Sequence, residues 1–141
     1  MVVEGTADLA AGALVVELAP EPGMAAGALP EGPGDWFAEV VPGTNVVRLH
    51  DGDVGDALGA AEGRQIVLIA RDAYRHAWQR DALATLLAAA PDAVVVEVGL
   101  PHWRPEAATS YVATHGAGRV NVQAAAERLY SGVATRGGAV R

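Results

Sequence analysis

Polar and aromatic residues gather in three short runs of this chain: Arg71, Asp72, Tyr74, Arg75 and His76; then His102 and Trp103; then His115. The first run can form a polar cluster that contacts a ligand or partner, with His76 able to carry a proton near neutral pH. The same residues also describe a helix N-terminus, with Asp72 as its cap and the Arg and His side chains on a solvated face. Glu97 stands inside the apolar run 93–98. A carboxylate there is either a buried acid with a raised pKa or a strand-exit residue paired with an Arg. Trp103 can stack on a sugar ring or pack at a domain interface. The four His residues stand 26, 26 and 13 positions apart, with no close pair, so no metal site is expected.

The chemistry these residues do not support is equally informative. No Walker A, G-x-G-x-x-G or G-x-S-x-G pattern occurs, so nucleotide-loop and serine-hydrolase readings lack their key parts. A flavin phosphate loop needs hydroxyls, but the run from Ala19 to Gly27 has no Ser or Thr and carries Glu21. A phospho-acceptor receiver needs a Lys, and the chain has none. No catalytic residue and no cofactor are therefore assigned.

What must position these residues is an ordinary domain. The chain has 141 residues, 51% of them hydrophobic, enough for a sizeable core without disulfides; there is no Cys. Net charge is −7 and every basic residue is Arg. An acidic chain without a basic patch is a poor partner for nucleic acid or an anionic membrane surface. The apolar runs fall far short of the roughly 20 residues a membrane helix needs. The N-terminus shows no secretory leader, so a cytoplasmic location is the expectation.

Periodicity predicts alternating elements. Strands are expected at Ala13–Leu18, Thr44–Leu49, Gln65–Arg71, Ala93–Val98 and Tyr111–Thr114. Helices are expected at Trp36–Val41 with Asp35 as cap, from Asp53 to Glu62, at Tyr74–Ala90 and at Val120–Tyr130, with one turn at Glu106–Ser110. Residues 1–132 then form a single α/β domain and 133–141 a flexible tail. The pattern predicts a three-layer αβα sandwich: a doubly wound, flavodoxin-like parallel sheet of about five strands in the order 2-1-3-4-5. In such sheets ligands and partners meet the carboxyl ends of the strands, where the three polar runs fall.

The segment Ile66–Gln79 (IVLIARDAYRHAWQ) resembles a "strand, Arg-Asp, aromatic or His, Arg, Trp-Gln" stretch in the C-terminal domain of glycoside hydrolase family 3 enzymes of the β-N-acetylhexosaminidase type. Pro91–Pro101 is similar to that family's next strand and turn, and Tyr111–Val120 to its threonine–aromatic–glycine–alanine turn, which runs into an Ala-rich helix, here Asn121–Tyr130. Leu14–Pro20 and Gly23–Gly27 match the domain opening more loosely. His115 departs from the family pattern, which has Tyr or Phe there.

The resemblance implies an accessory domain that packs on a catalytic (β/α)8 barrel and supports it. The barrel would hold the nucleophilic Asp and the His–Asp acid/base pair, and 141 residues cannot contain it. Arg71, Asp72, Tyr74, Arg75, His76, His102, Trp103 and His115 then become candidates for the interface, or for the rim of an active site that takes an amino-sugar glycoside. A second reading is a stand-alone small-molecule-binding or regulatory module that uses the Arg71–His76 cluster. The chain alone is expected to be inactive. Assayed on a chromogenic N-acetyl-β-glucosaminide, it should give turnover no higher than a heat-killed control.

Overall fold

The computed structural model describes residues 1–5, 8–19, 32–50 and 54–139, with only the backbone described for 131–139. The Pro/Gly-rich stretch 20–31, the resembling segment Gly23–Gly27 within it, and Asp53, the expected helix cap, lie outside the described residues. Along the chain run β1 (Val2–Glu4), β2 (Leu14–Leu18), α1 (Pro33–Val40), β3 (Asn45–Leu49), α2 (Val54–Ala61), β4 (Ile66–Ala70), a 3-10 turn (Ala73–Arg75), α3 (Ala77–Ala89), β5 (Val94–Glu97), β6 (Ser110–Ala113) and α4 (Arg119–Ala139).

These elements form a three-layer α/β sandwich around one sheet, ordered β1-β6-β5-β4-β2-β3. The strands β3, β2, β4, β5 and β6 are parallel and carry the expected 2-1-3-4-5 order. Residues of β2, β4 and β5 are buried on both faces, which explains why their sequences, Glu17 and Glu97 apart, are apolar rather than alternating. On one face Leu14, Val16, Leu68 and Val95 pack with Ala82, Leu83, Leu86 and Leu87 of α3 and with Ala57 and Ala61 of α2. On the other, Val15, Val67, Ile69 and Val96 pack with Phe37 of α1 and with Val122, Ala125 and Leu129 of α4. The β5–β6 connection, residues 98–109, contains no helix.

Several elements differ from their sequence-based expectation. A sixth strand, β1, pairs antiparallel with β6, from Val2↔Ala113 to Glu4↔Tyr111. Three residues are too few to carry a periodic signal, and only the pairing defines them. The helix expected from Tyr74 is interrupted: the 3-10 turn ends at His76, whose backbone is extended, and α3 begins at Ala77. A continuous helix would need the Ala73 and Tyr74 carbonyls for its own N–H groups. Instead the Ala73 carbonyl accepts the His76 N–H at 3.2 Å, closing the 3-10 turn, and the Arg80 guanidinium donates to both carbonyls, at 2.8 and 2.6 Å. Asp35 does not precede its helix. It lies in the first turn behind Pro33 and accepts the Gly32 N–H at 3.0 Å. Residues 105–108 make a single turn, closed by the Ala108 N–H on the Pro105 carbonyl, and Ser110 already belongs to β6. The last helix runs to Ala139, through most of the stretch expected as a tail.

Val96 lies at the centre of the sheet, fully buried, in register with Ile69 on one side and Val112 on the other. The variant Val96→Asp places a carboxylate there with no donor in reach. It should lose more than about 4 kcal/mol and fail to fold cooperatively. Urea titration followed by circular dichroism checks this, and a wild-type transition would contradict the sheet assignment.

Candidate functional site

The carboxyl ends of β4 and β5 are tied together by one buried side chain. Glu97, the last residue of β5, is 2% exposed. Its carboxylate accepts the backbone N–H of Asp72 at 2.8 Å, of Ala73 at 3.1 Å and of Gly99 at 2.9 Å. It is therefore neither an acid open to a substrate nor the partner of an Arg, as its place in an apolar strand had suggested. It is an anchor for two loops.

The loop after β4 takes its shape from that anchor. Presenting two successive N–H groups to one carboxylate turns Asp72 into the left-handed region, at φ +57°. Asp72 makes no capping hydrogen bond to the turn that follows it. Its Oδ1 accepts the Leu100 N–H at 2.7 Å, so this loop grips the turn after β5. The approach is close enough to require glycine at position 99. A Cβ there would collide with the Asp72 carboxylate and lie 2.6 Å from its backbone nitrogen. Gln79, fully buried on α3, closes a reciprocal pair with Arg71: its Oε1 accepts the Arg71 N–H and its Nε2 donates to the Arg71 carbonyl, both at 3.0 Å. After β6, the buried Thr114 hydroxyl donates to the Gly116 carbonyl at 2.7 Å. His115 between them has φ +58°.

These loops enclose a cleft of about 310 Å³. Arg71, Asp72, Tyr74, Arg75 and His115 line it, with Val98, Leu100, Pro101 and Ala117 supplying apolar wall. The other three candidates lie elsewhere. His102 is exposed and meets the Tyr74 ring edge-on, with centroids 4.9 Å apart. Trp103 is half-buried and packs against the core on the α2/α3 face of the sheet. His76 is half-buried between the 3-10 turn and α3. Gln79 and Arg80 were not singled out from sequence. The signal for Gln79 was its position on the buried stripe of α3 with Ala82, Leu83 and Leu86, where a polar residue must find partners.

Beside the cleft, the β5–β6 connection is fixed to the edge strand. Arg104 Nε pairs with Glu4 of β1 at 3.2 Å, and its guanidinium lies 5.2 Å from the centre of the Tyr111 ring. Burial, with the Glu97 charge adding to it, pushes the Tyr111 phenol up to about 12, so it stays protonated through the neutral range. Among the described residues, no three His, Asp or Glu side chains converge as metal ligands, and no helix is long and apolar enough to cross a membrane.

Among solved structures, the chain is similar to part of a glycoside hydrolase family 3 β-N-acetylglucosaminidase from Paenibacillus sp. str. FPU-7, with a TM-score of 0.65 and 17% sequence identity. The match covers 92% of this chain but only 27% of that one, and at this identity it establishes the fold. No protein-family model matches the chain, and no curated protein does.

If Glu97 holds the edge together, Glu97→Ala should strand three N–H groups, one buried and two partly buried, and cost about 3 kcal/mol or more. Amide exchange at Asp72, Ala73 and Gly99 should accelerate well ahead of exchange in β2. Unchanged exchange at these three amides would mean that other contacts hold the loops.

Proposed function

We propose that this chain is the accessory C-terminal domain of a family-3 β-N-acetylhexosaminidase, docked on a catalytic barrel that lies outside the sequence. One observation carries the reading: nearly the whole chain corresponds in fold to about a quarter of an enzyme of that family. The ordered resemblances in Ile66–Gln79, Pro91–Pro101 and Tyr111–Val120 support it independently of the fold.

The surface supports a partner at the carboxyl edge. The exposed large apolar residues among those described are Met1, Val2, Leu100 and Val120. Leu100 follows β5 and Val120 opens α4 just beyond the β6 turn. Because β1 is antiparallel to β6, with Val2 opposite Ala113, Met1 and Val2 emerge at the same edge. Exposed apolar side chains at this edge are what a docked partner would cover. The direction of β1 also means that a domain joined ahead of Met1 would enter there. In this reading the barrel carries the nucleophile and the acid/base pair, and this domain stabilises it and shapes the rim around an amino-sugar glycoside.

The reading requires the gene's reading frame to continue upstream into a barrel, and it fails if no barrel is encoded there. Given that longer protein, hydrogen–deuterium exchange should be at least tenfold slower at Arg71–Gln79 and Leu100–Arg104 than in the 141-residue chain alone. Equal exchange in the two proteins would remove this edge as the interface.

A further inference from the structure

We infer that the cleft at the carboxyl edge binds a small organic anion: a carboxylate or phosphate head carried on a compact body. The inference stands on the cleft itself and is independent of the glycosidase reading.

It begins with where the chain's cations are used. Among the described arginines, Arg48 pairs with Glu17 and Asp35, Arg64 donates to the carbonyls of Gly12, Ala13 and Gly43, and Arg80 to those of Ala73 and Tyr74. Arg104 pairs with Glu4, and Arg119 with Glu39. Arg128 on α4 is exposed and unpaired among the described residues, and so are Arg71 and Arg75: neither of these two guanidiniums has a hydrogen-bond or ion-pair partner there. Both line the one cleft. In a chain of net charge −7 without Lys, two unpaired cations on the wall of a single cleft form a local positive site.

The nearby acids do not cancel it. Glu97 is buried beneath the loops with its oxygens on three N–H groups. Asp72 also lines the cleft, but its Oδ1 is turned to the Leu100 N–H. Two arginines on the cleft wall therefore outnumber its one carboxylate, which is itself partly engaged. Guanidinium forks match the geometry of carboxylate and phosphate oxygens. The remaining wall, Val98, Leu100, Pro101 and Ala117, is apolar and suits a small body rather than a bare ion. A volume of about 310 Å³ takes a molecule of roughly sugar-phosphate or aryl-acid size. The loops that hold both arginines are already fixed by Glu97 and Gln79, so little ordering is left for the ligand to impose.

Phenyl phosphate, inorganic phosphate and benzyl alcohol, titrated into the 141-residue chain and followed by amide NMR shifts, test the inference. Phenyl phosphate should bind at least fivefold tighter than inorganic phosphate, and benzyl alcohol should not bind measurably. Shifts should centre on Arg71–Arg75, Leu100 and His115–Ala117. The variant Arg71→Gln/Arg75→Gln should weaken phenyl phosphate at least tenfold. A second readout does not depend on the variant: phenylglyoxal modification, mapped by mass spectrometry, should be slowed by phenyl phosphate at Arg71 and Arg75 but not at the exposed Arg128. Wild-type affinity in the double variant, or equal protection of Arg128, would reduce the interaction to adventitious ion association and overturn the inference.

Discussion

A carboxylate with almost no access to water, at the end of the fifth strand, sets the shape of the sheet's carboxyl edge. A buried charge is costly unless its hydrogen bonds are met, and Glu97 meets them with three backbone N–H groups drawn from two different loops. Charge-assisted bonds of this kind are each worth about 1.5–3 kcal/mol, so the carboxylate is tolerable only while both loops stay in place. The left-handed backbone of Asp72 and the absence of a side chain at Gly99 are consequences of that arrangement.

The opposite face of the sheet repeats the device. Glu17 of β2 is also buried; it accepts the Gly34 N–H at 2.6 Å and pairs with Arg48 at 3.2 Å. There the carboxylate fixes the start of α1. A Cβ at position 34 would lie 2.8 Å from its oxygen, so glycine is again what allows the close approach. Two glutamates in apolar strands thus hold chain segments at the ends of the sheet. The pattern has an electrostatic result. Buried acids are answered mainly by N–H groups and several arginines by carbonyl oxygens, which leaves Arg71 and Arg75 unneutralised at the cleft.

The missing helix between β5 and β6 matters for the same region. A crossover helix would cover the sheet beside Tyr111. Instead residues 98–109 run as an irregular strap, pinned by Arg104 to Glu4 and by Trp103 to the core. The strap brings Leu100 and Pro101 to the cleft wall and leaves His102 in solvent against Tyr74. It makes one side of the edge apolar and the other cationic, a surface suited both to a partner domain and to a small anion.

The sequence by itself determined the architecture. Apolar runs of strand length, broken by Gly, Pro and acidic residues, specify strands buried on both faces, and their alternation with helices admits the parallel order that β3-β2-β4-β5-β6 displays. It also placed Arg71, Asp72, Tyr74, Arg75 and His115 at the strand ends, because loop residues after strands must fall there. Contacts between segments distant in sequence were decided only by the tertiary structure. Glu97 could not be separated from a catalytic acid or an Arg-paired residue until the N–H groups from residues 25 and 24 positions away were seen on it. Helical periodicity continued through Tyr74–His76, but the His76 N–H and the Arg80 guanidinium occupy the carbonyls that a helix there would use. The strand β1 exists because β6 offers it an edge. Local pattern fixes which face of an element is apolar; which buried polar atom meets which donor depends on packing that no single segment encodes.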